Sequence, residues 1–208
     1  MAEFNYKLED GKYTLYKDGK TLTNPHGIVI TTDNEELALS LAAGEYEGQN
    51  RIKKCVTILN RLTVKNPLFP FIREHIKEYN EAIHFKGDRA IVYAAIINSA
   101  YPFGYDTTAL LGKFFNIQKQ VNTQVIVSRM SAKYGSNRAT PNGLYCILPM
   151  LIDAGLIIRP QDGIYEKAEL EFRTVSCKDF YRKSFFINNQ LLNEAIDYND
   201  HSYFCFLE

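Results

Sequence analysis

The stretch LYCILPMLIDAGLIIRPQDGIYEKAELEF, residues 144–172, decides the fold predicted for the C-terminal half of the chain. Its first part is typical of a helix that ends at Gly155, because glycine readily adopts the left-handed conformation found just after helices. Two runs with strand composition follow at residues 156–159 and 164–171, and the turn sequence PQDG joins them. The sequence therefore predicts a helix followed by a β-hairpin.

The middle of the chain carries helix signals. Apolar residues surround the segment RAIVYAAIINSAY, residues 89–101, on almost all sides, as expected for a helix buried at the centre of a domain. Asp106 is predicted to cap the next helix, TTALLGKFFNI. Earlier helices are predicted at residues 52–62 and 71–83, and a further one begins near Asp33.

The N-terminal segment FNYKLEDGKYTLYKDGKTLTNPHGIVIT, residues 4–31, has the signals of antiparallel strands. Two Asp-Gly pairs lie between short β-favouring runs, and this dipeptide is a strong hairpin signal. We predict a β-meander of three or four strands. Because the pattern of polar and apolar residues changes near residues 84–87, the predicted domains are residues 1–85 (meander plus helices) and 86–208.

Composition limits the classes of function. The 208 residues include 24 basic and 24 acidic side chains, so net charge alone favours neither nucleic acid nor membrane as a partner. The longest apolar run, residues 91–97, is too short to span a bilayer, and the polar start is unlike a signal peptide. The four cysteines form no CxxC motif, which favours reduced thiols and a cytoplasmic location.

Charge is distributed unevenly along this neutral chain. No acidic residue lies between Asp106 and Asp153, whereas basic residues and many Gln, Asn, Ser and Thr residues do. Such side chains bind phosphate oxygens and base edges, and the missing carboxylates remove repulsion. The predicted nucleic-acid-binding residues are Lys113, Gln118, Lys119, Asn122, Gln124, Arg129, Lys133, Asn137 and Arg138.

Among these residues, Arg129, Lys133 and Arg138 are the strongest phosphate-binding candidates. On a helix predicted over residues 119–134, Asn122 shares one face with Arg129 and Lys133, so this segment is a candidate reading element. Two alternatives remain open at this point. The stretch is a solvated loop whose charges are neutralised by acids elsewhere, such as residues 35–47, or it docks an acidic protein partner.

The order of a buried helix, a second helix, a later helix ending in LIDAGLI and a hairpin resembles a winged helix-turn-helix over residues 87–168. Leu151, Gly155, Leu156 and Ile157 occupy the motif positions, and residues 160–165 would form the wing. The resemblance implies DNA binding. Here a long polar segment replaces the short turn before the recognition helix, and we expect Pro149 to break or kink that helix.

A second resemblance concerns the segment DGKTLTNPHGIVITTDNEELALSLAAGEYEGQ, residues 18–49. It is similar to the opening of the assembly chaperone family that holds the α subunit of ATP synthase. This similarity implies a role in holding another protein. The matching positions are Asp18, Gly19, Lys20, Leu22, Pro25, Gly27, Leu37, Ala38, Ala42, Glu45, Tyr46 and Gln49.

Local motifs for catalysis are missing from the sequence. The four histidines are far apart, and no GxSxG, HExxH or phosphate-binding GxxxxGK[ST] pattern occurs. Glu166, Glu169, Glu171 and Lys178 lack the spacing of a nuclease metal site. We therefore predict no catalytic residues, no metal and no cofactor.

The combined prediction is an α+β protein with an N-terminal antiparallel β-meander, a helical middle and a winged-helix-like C-terminal half. Its predicted function is that of a non-enzymatic regulator that binds nucleic acid, DNA rather than RNA, through the basic patch. A second copy or another protein is an additional expected partner, and a membrane is not. The alternative is an assembly factor whose basic patch docks an acidic protein.

Overall fold

The computed structural model confirms an α+β protein and divides the chain into two compact units, Met1–Asn66 and Pro67–Glu208. The change of sequence pattern near residues 84–87 predicts a division after residue 85 instead. The helices just before that residue pack within the second unit, since the rings of Phe71 and Tyr79 contact the ring of Phe180. The residues that the structure describes are 4–9, 12–17, 19–21, 31–32 and 49–207.

The first unit contains the predicted β-meander. Strands β1, β2 and β3 pair antiparallel in chain order, and β4 shares with β3 one edge of β2. Gly19 has a φ of 75°, which suits the Asp-Gly turn predicted there. The elements are β1 (Phe4–Glu9), β2 (Lys12–Lys17), β3 (Lys20–Thr21), β4 (Thr31–Thr32) and α1 (Gln49–Leu62).

Two predictions for the first unit fall mostly outside the described residues. These are the helix expected from about Asp33 onward and most positions of the chaperone-like segment. The resemblance to the assembly chaperone family therefore stays a prediction. The helix predicted at residues 52–62 is confirmed as α1.

The second unit is mainly helical and carries one small sheet. The order of that sheet is β5–β7–β6, with all strands antiparallel. Its elements are α2 (Phe69–Glu74), α3 (Ile76–Ala82), α4 (Lys86–Ala100), α5 (Pro102–Phe115), β5 (Gln120–Asn122), α6 (Thr123–Tyr134), α7 (Ala139–Asp153), β6 (Ile157–Gln161), β7 (Ile164–Lys167), α8 (Ser176–Asn188) and a 3-10 helix (Ser202–Leu207).

Helix α4 is the buried central helix that the sequence predicts. Ile91 and Val92 are fully buried, and α4 packs along α8, which contributes the buried rings of Tyr181 and Phe185. The buried side chain of Asn98 is satisfied, because its amide donates to the Tyr203 hydroxyl at 3.0 Å and its carbonyl accepts from Thr108. Burial of a paired amide avoids the cost of a lost hydrogen bond.

Asp88 joins the start of α4 to the segment that precedes α8. Its carboxylate is fully buried and accepts from the backbone N–H groups of Arg173 at 2.9 Å and Thr174 at 2.7 Å. The carboxylate also lies in the first turn of α4, where negative charge is favoured by the helix dipole. A single side chain thus fixes two helix starts relative to each other.

One helix start and one helix interruption differ from the prediction. Helix α5 begins at Pro102, because proline at the first helical position has a suitable φ and needs no hydrogen-bond acceptor. Asp106 therefore lies inside α5 and does not cap it. The helix predicted over residues 71–83 is interrupted at His75, whose φ of −111° and ψ of 39° leave the helical region.

The segment predicted as one helix over residues 119–134 is a strand followed by a helix. Residues 120–122 form β5 because Val121 pairs with Tyr165 of β7, and this burial outweighs helix propensity. Pro149 does not end α7. Pro149 and Tyr145 are both exposed, so water can reach the carbonyl that lacks its usual helix partner.

The turn signals downstream of α7 are confirmed. Gly155 has a φ of 84° at the end of α7, and Gly163 has a φ of 76° between β6 and β7. The order of the elements from α5 to β7 is helix, strand, helix, helix, strand, strand. None of the helices in the described part of the chain combines the length and apolar character needed to cross a lipid bilayer.

Candidate nucleic-acid interface

The nine predicted binding residues are all exposed, and they lie in α5, β5, α6 and the connections that follow α5 and α6. Lys113 lies in the last turn of α5, and Gln118 and Lys119 lie in the connection to β5. Asn122 ends β5, while Gln124, Arg129 and Lys133 belong to α6. Asn137 and Arg138 lie in the turn between α6 and α7.

Helix α6 is anchored at its start by local hydrogen bonds. The Asn122 side chain caps the helix by accepting from the Gln124 backbone N–H at 2.7 Å. Both the backbone N–H and the hydroxyl of Thr123 donate to the Gly163 carbonyl, at 2.8 Å and 3.1 Å. With Ile126 and Met130 buried, these bonds fix which face of α6 is exposed.

Arg129 and Lys133 lie one turn apart on the exposed side of α6, yet their surroundings differ. The Lys133 ammonium is 2.6 Å from a carboxylate oxygen of Asp106 on α5. The Tyr134 hydroxyl donates to the same oxygen. Burial, this hydrogen bond and the Asp106 charge together raise the pKa of Tyr134 far above its usual range. Arg129 makes no ion pair with any described residue.

A second carboxylate, Glu166 of β7, approaches the start of the basic stretch. Gln120 donates its side-chain N–H to Glu166 at 2.7 Å. The Lys119 ammonium is 3.7 Å from the other oxygen of Glu166, beyond hydrogen-bond distance, and its side chain is 84% exposed. Gln118 donates to the Gln120 carbonyl at 2.6 Å. Lys119 can therefore leave Glu166 at little cost.

Local hydrogen bonds stabilise the turn between α6 and α7. Gly135 has a φ of 91°, a conformation that favours glycine, and its carbonyl accepts from the Thr140 hydroxyl at 2.7 Å. The Asn137 side chain accepts from the Ala139 backbone N–H at 3.0 Å. Arg138 immediately precedes α7, is exposed and makes no ion pair within the described part of the chain.

Helix α7 has an exposed face that lies outside the predicted binding residues. Leu144, Ile147 and Leu148 are buried, and on the opposite side Tyr145 is 70% exposed. Asn142, Cys146 and Pro149 share the exposed side of the helix. The helical spacing of these residues is visible in the sequence, but the break expected at Pro149 spoke against one continuous helix here.

The hairpin contributes one further basic side chain that sequence reasoning missed. Arg159 of β6 pairs with Asp162 at 3.0 Å, and the Asp162 side chain is fully exposed. An ion pair so open to water is weakly held, so Arg159 can exchange this partner for another anion.

The acid-free stretch is thus not free of acids in space. Asp106 and Glu166, both outside the basic stretch, reach two of its five cations. Lys113, Arg129 and Arg138 form no ion pair with a described residue. Within this stretch, the cations available to a ligand are therefore these three and Lys119.

The described residues contain no group of three or more His, Cys, Asp or Glu side chains arranged to hold a metal ion. The Glu166 carboxylate considered for a nuclease site already accepts from Gln120. Comparison with protein-family models, with curated proteins and with solved structures finds no match to this chain.

Proposed function

We propose that this protein binds duplex DNA without catalysis, through a winged-helix-like module at residues 102–167. Support for this function comes from the order of the elements: α5, β5, α6, α7 and then the β6–β7 hairpin, with a short Gly-containing turn between α6 and α7. In helix-turn-helix proteins the second helix enters the major groove and the first crosses the backbone. Helix α7 would be the recognition helix and the hairpin the wing.

Phosphate contacts come from the available cations of the basic stretch. Arg129 on α6 and Arg138 at the start of α7 suit contacts to the backbone on either side of a groove, because each is exposed and has no carboxylate partner in the described part of the chain. Lys113 and Lys119 supply further contacts. Since the net charge of the chain is zero, attraction to DNA depends on these few side chains.

Base contacts come from the exposed face of α7. Asn142 is one turn into the helix, in the part that reaches base edges in helix-turn-helix complexes. An asparagine amide can pair with the N6 and N7 groups of adenine, and the ring of Tyr145 can contact a thymine methyl group. The proposed module would therefore prefer A·T pairs over G·C pairs at the centre of its site.

Fluorescence anisotropy of labelled duplex DNA at several salt concentrations tests this function. The salt slope is the decrease in log K for each unit increase in log salt concentration. We expect Arg129→Ala and Arg138→Ala each to reduce this slope by about 0.9, the value for one phosphate contact. Lys77→Ala is the matched control, because Lys77 is exposed on α3, outside the proposed module. A slope that stays the same in both arginine variants, or falls equally in the control, would contradict the proposed interface.

A second function, docking of an acidic protein partner, is favoured by two exposed apolar residues within the basic stretch. Ile117 is 81% exposed and Val125 is 39% exposed. Burial of these apolar side chains against a partner protein would be favourable, whereas they add nothing to the binding of phosphates. Loss of partner binding in Ile117→Ser, with DNA binding unchanged, would assign these residues to a protein interface.

A further inference from the structure

We propose that Asp106 masks Lys133, so that Lys133 does not contact DNA phosphates although it lies on the exposed side of α6. This inference rests on the proposed DNA-binding function. Asp106 thereby limits the part of the DNA affinity that does not depend on base sequence.

The geometry of the ion pair is the first observation. The separation of 2.6 Å between the Lys133 ammonium and Asp106 is that of a charge-assisted hydrogen bond. The Asp106 side chain is only 16% exposed, so solvent screens this pair less than a fully exposed one. Lys119 is the internal contrast, because its ammonium stands 3.7 Å from Glu166, beyond hydrogen-bond distance, and its side chain is 84% exposed against 61% for Lys133.

The surroundings of the pair hold both partners in place. The Tyr134 hydroxyl donates to the carboxylate oxygen that Lys133 contacts, which fixes the position of Asp106. The Lys133 ammonium also lies 5.7 Å from the centre of the Tyr134 ring, within the range of a cation–π contact. The ring of Tyr134 in turn packs on Phe103 at 4.9 Å, so α5 and the end of α6 form one connected cluster.

The effect on DNA binding follows from counterion release. A lysine strengthens binding because its contact with a phosphate frees condensed ions into solution. The Lys133 ammonium already has a carboxylate partner that belongs to the protein, and a phosphate would have to displace it. Asp106 would then remain as an unpaired negative charge near the DNA. Lys133 therefore adds nothing to the salt dependence while Asp106 is present.

The decisive experiment compares salt slopes for mixed-sequence duplex DNA in five proteins: wild type, Lys133→Ala, Asp106→Asn, the double variant and Arg129→Ala. We expect Lys133→Ala to bind with the wild-type slope and Asp106→Asn to steepen it by about 0.9, which corresponds to about eightfold tighter binding at 0.1 M salt. The double variant should return to the wild-type slope. Arg129→Ala should be shallower by about 0.9, as a control on the same face of α6.

Asparagine keeps the size of Asp106 and can still accept from Tyr134, so this variant retains the local packing. If it nevertheless loses its fold, Lys133→Ala alone decides the question. A slope reduced by about 0.9 in Lys133→Ala would overturn the masking, because Lys133 would then contact phosphate despite its partner. An unchanged slope in a folded Asp106→Asn protein would overturn it as well.

Heparin separates failure of this inference from failure of the proposed function. If the wild type does not bind DNA, the proposed function is wrong, and masking is judged from elution on a heparin column. Later elution of Asp106→Asn, reversed in the double variant, supports masking of Lys133 against any polyanion. Elution of wild type and Asp106→Asn at the same salt concentration contradicts it.

Discussion

Replacing Asp88 with alanine should destabilise the second unit strongly, because two backbone N–H groups depend on its carboxylate. Asp88 is fully buried and accepts from Arg173 at 2.9 Å and from Thr174 at 2.7 Å. A hydrogen bond to a charged group contributes about 1.5–3 kcal/mol, and each buried donor left unpaired costs about 1–3 kcal/mol. The alanine also relieves the cost of burying a charge, which offsets part of the loss.

We therefore expect the free energy of unfolding to fall by about 3 kcal/mol, a large fraction of the 5–15 kcal/mol typical of a domain. Urea unfolding followed by circular dichroism at neutral pH measures this difference. Asp179→Ala is the matched control, since Asp179 also lies in a first helical turn but is exposed. Its loss should cost no more than about 1 kcal/mol. Equal stability of the two variants would refute the role given to Asp88.

Two further predictions concern packing and thiol reactivity. A Cβ atom at Gly112 of α5 would collide with the Ser202 backbone carbonyl. Gly112→Ala should therefore lower the free energy of unfolding by about 2 kcal/mol or more. An unchanged free energy in urea unfolding would contradict this packing. None of the four cysteines is in a disulfide bond. Burial is the main cause that raises the pKa of Cys177 to about 11, while Cys146 is exposed on α7. At pH 8, a thiol reagent such as DTNB should therefore label Cys146 well before Cys177, because little of the Cys177 thiolate exists at this pH. Labelling of Cys177 first, as seen by peptide mapping, would contradict this prediction.

The hairpins and the central helix could be predicted from sequence because their signals are local. Gly155 ends α7 and Gly163 lies in the hairpin turn, and both have the positive φ that favours glycine. Helix α4 is apolar on almost all sides, and most of its residues are buried. These features depend on a few neighbouring residues, which periodicity and turn chemistry describe well.

Strand β5 and the surroundings of Lys133 could not be predicted in the same way. A three-residue strand has too few positions for a periodic pattern, and β5 exists because Val121 pairs with Tyr165 of the distant strand β7. Asp106 reaches Lys133 only because α5 and α6 pack side by side. An acid-free stretch of sequence therefore does not predict an acid-free surface, since folding brings in carboxylates from other elements.

The most direct test of the proposed function is the salt dependence of binding between the wild-type protein and duplex DNA. If Lys113, Lys119, Arg129 and Arg138 each contact one phosphate, log K should fall linearly with log salt with a slope of about −3.6. Absence of binding at low salt, or binding that does not change with salt, would contradict DNA recognition through these residues.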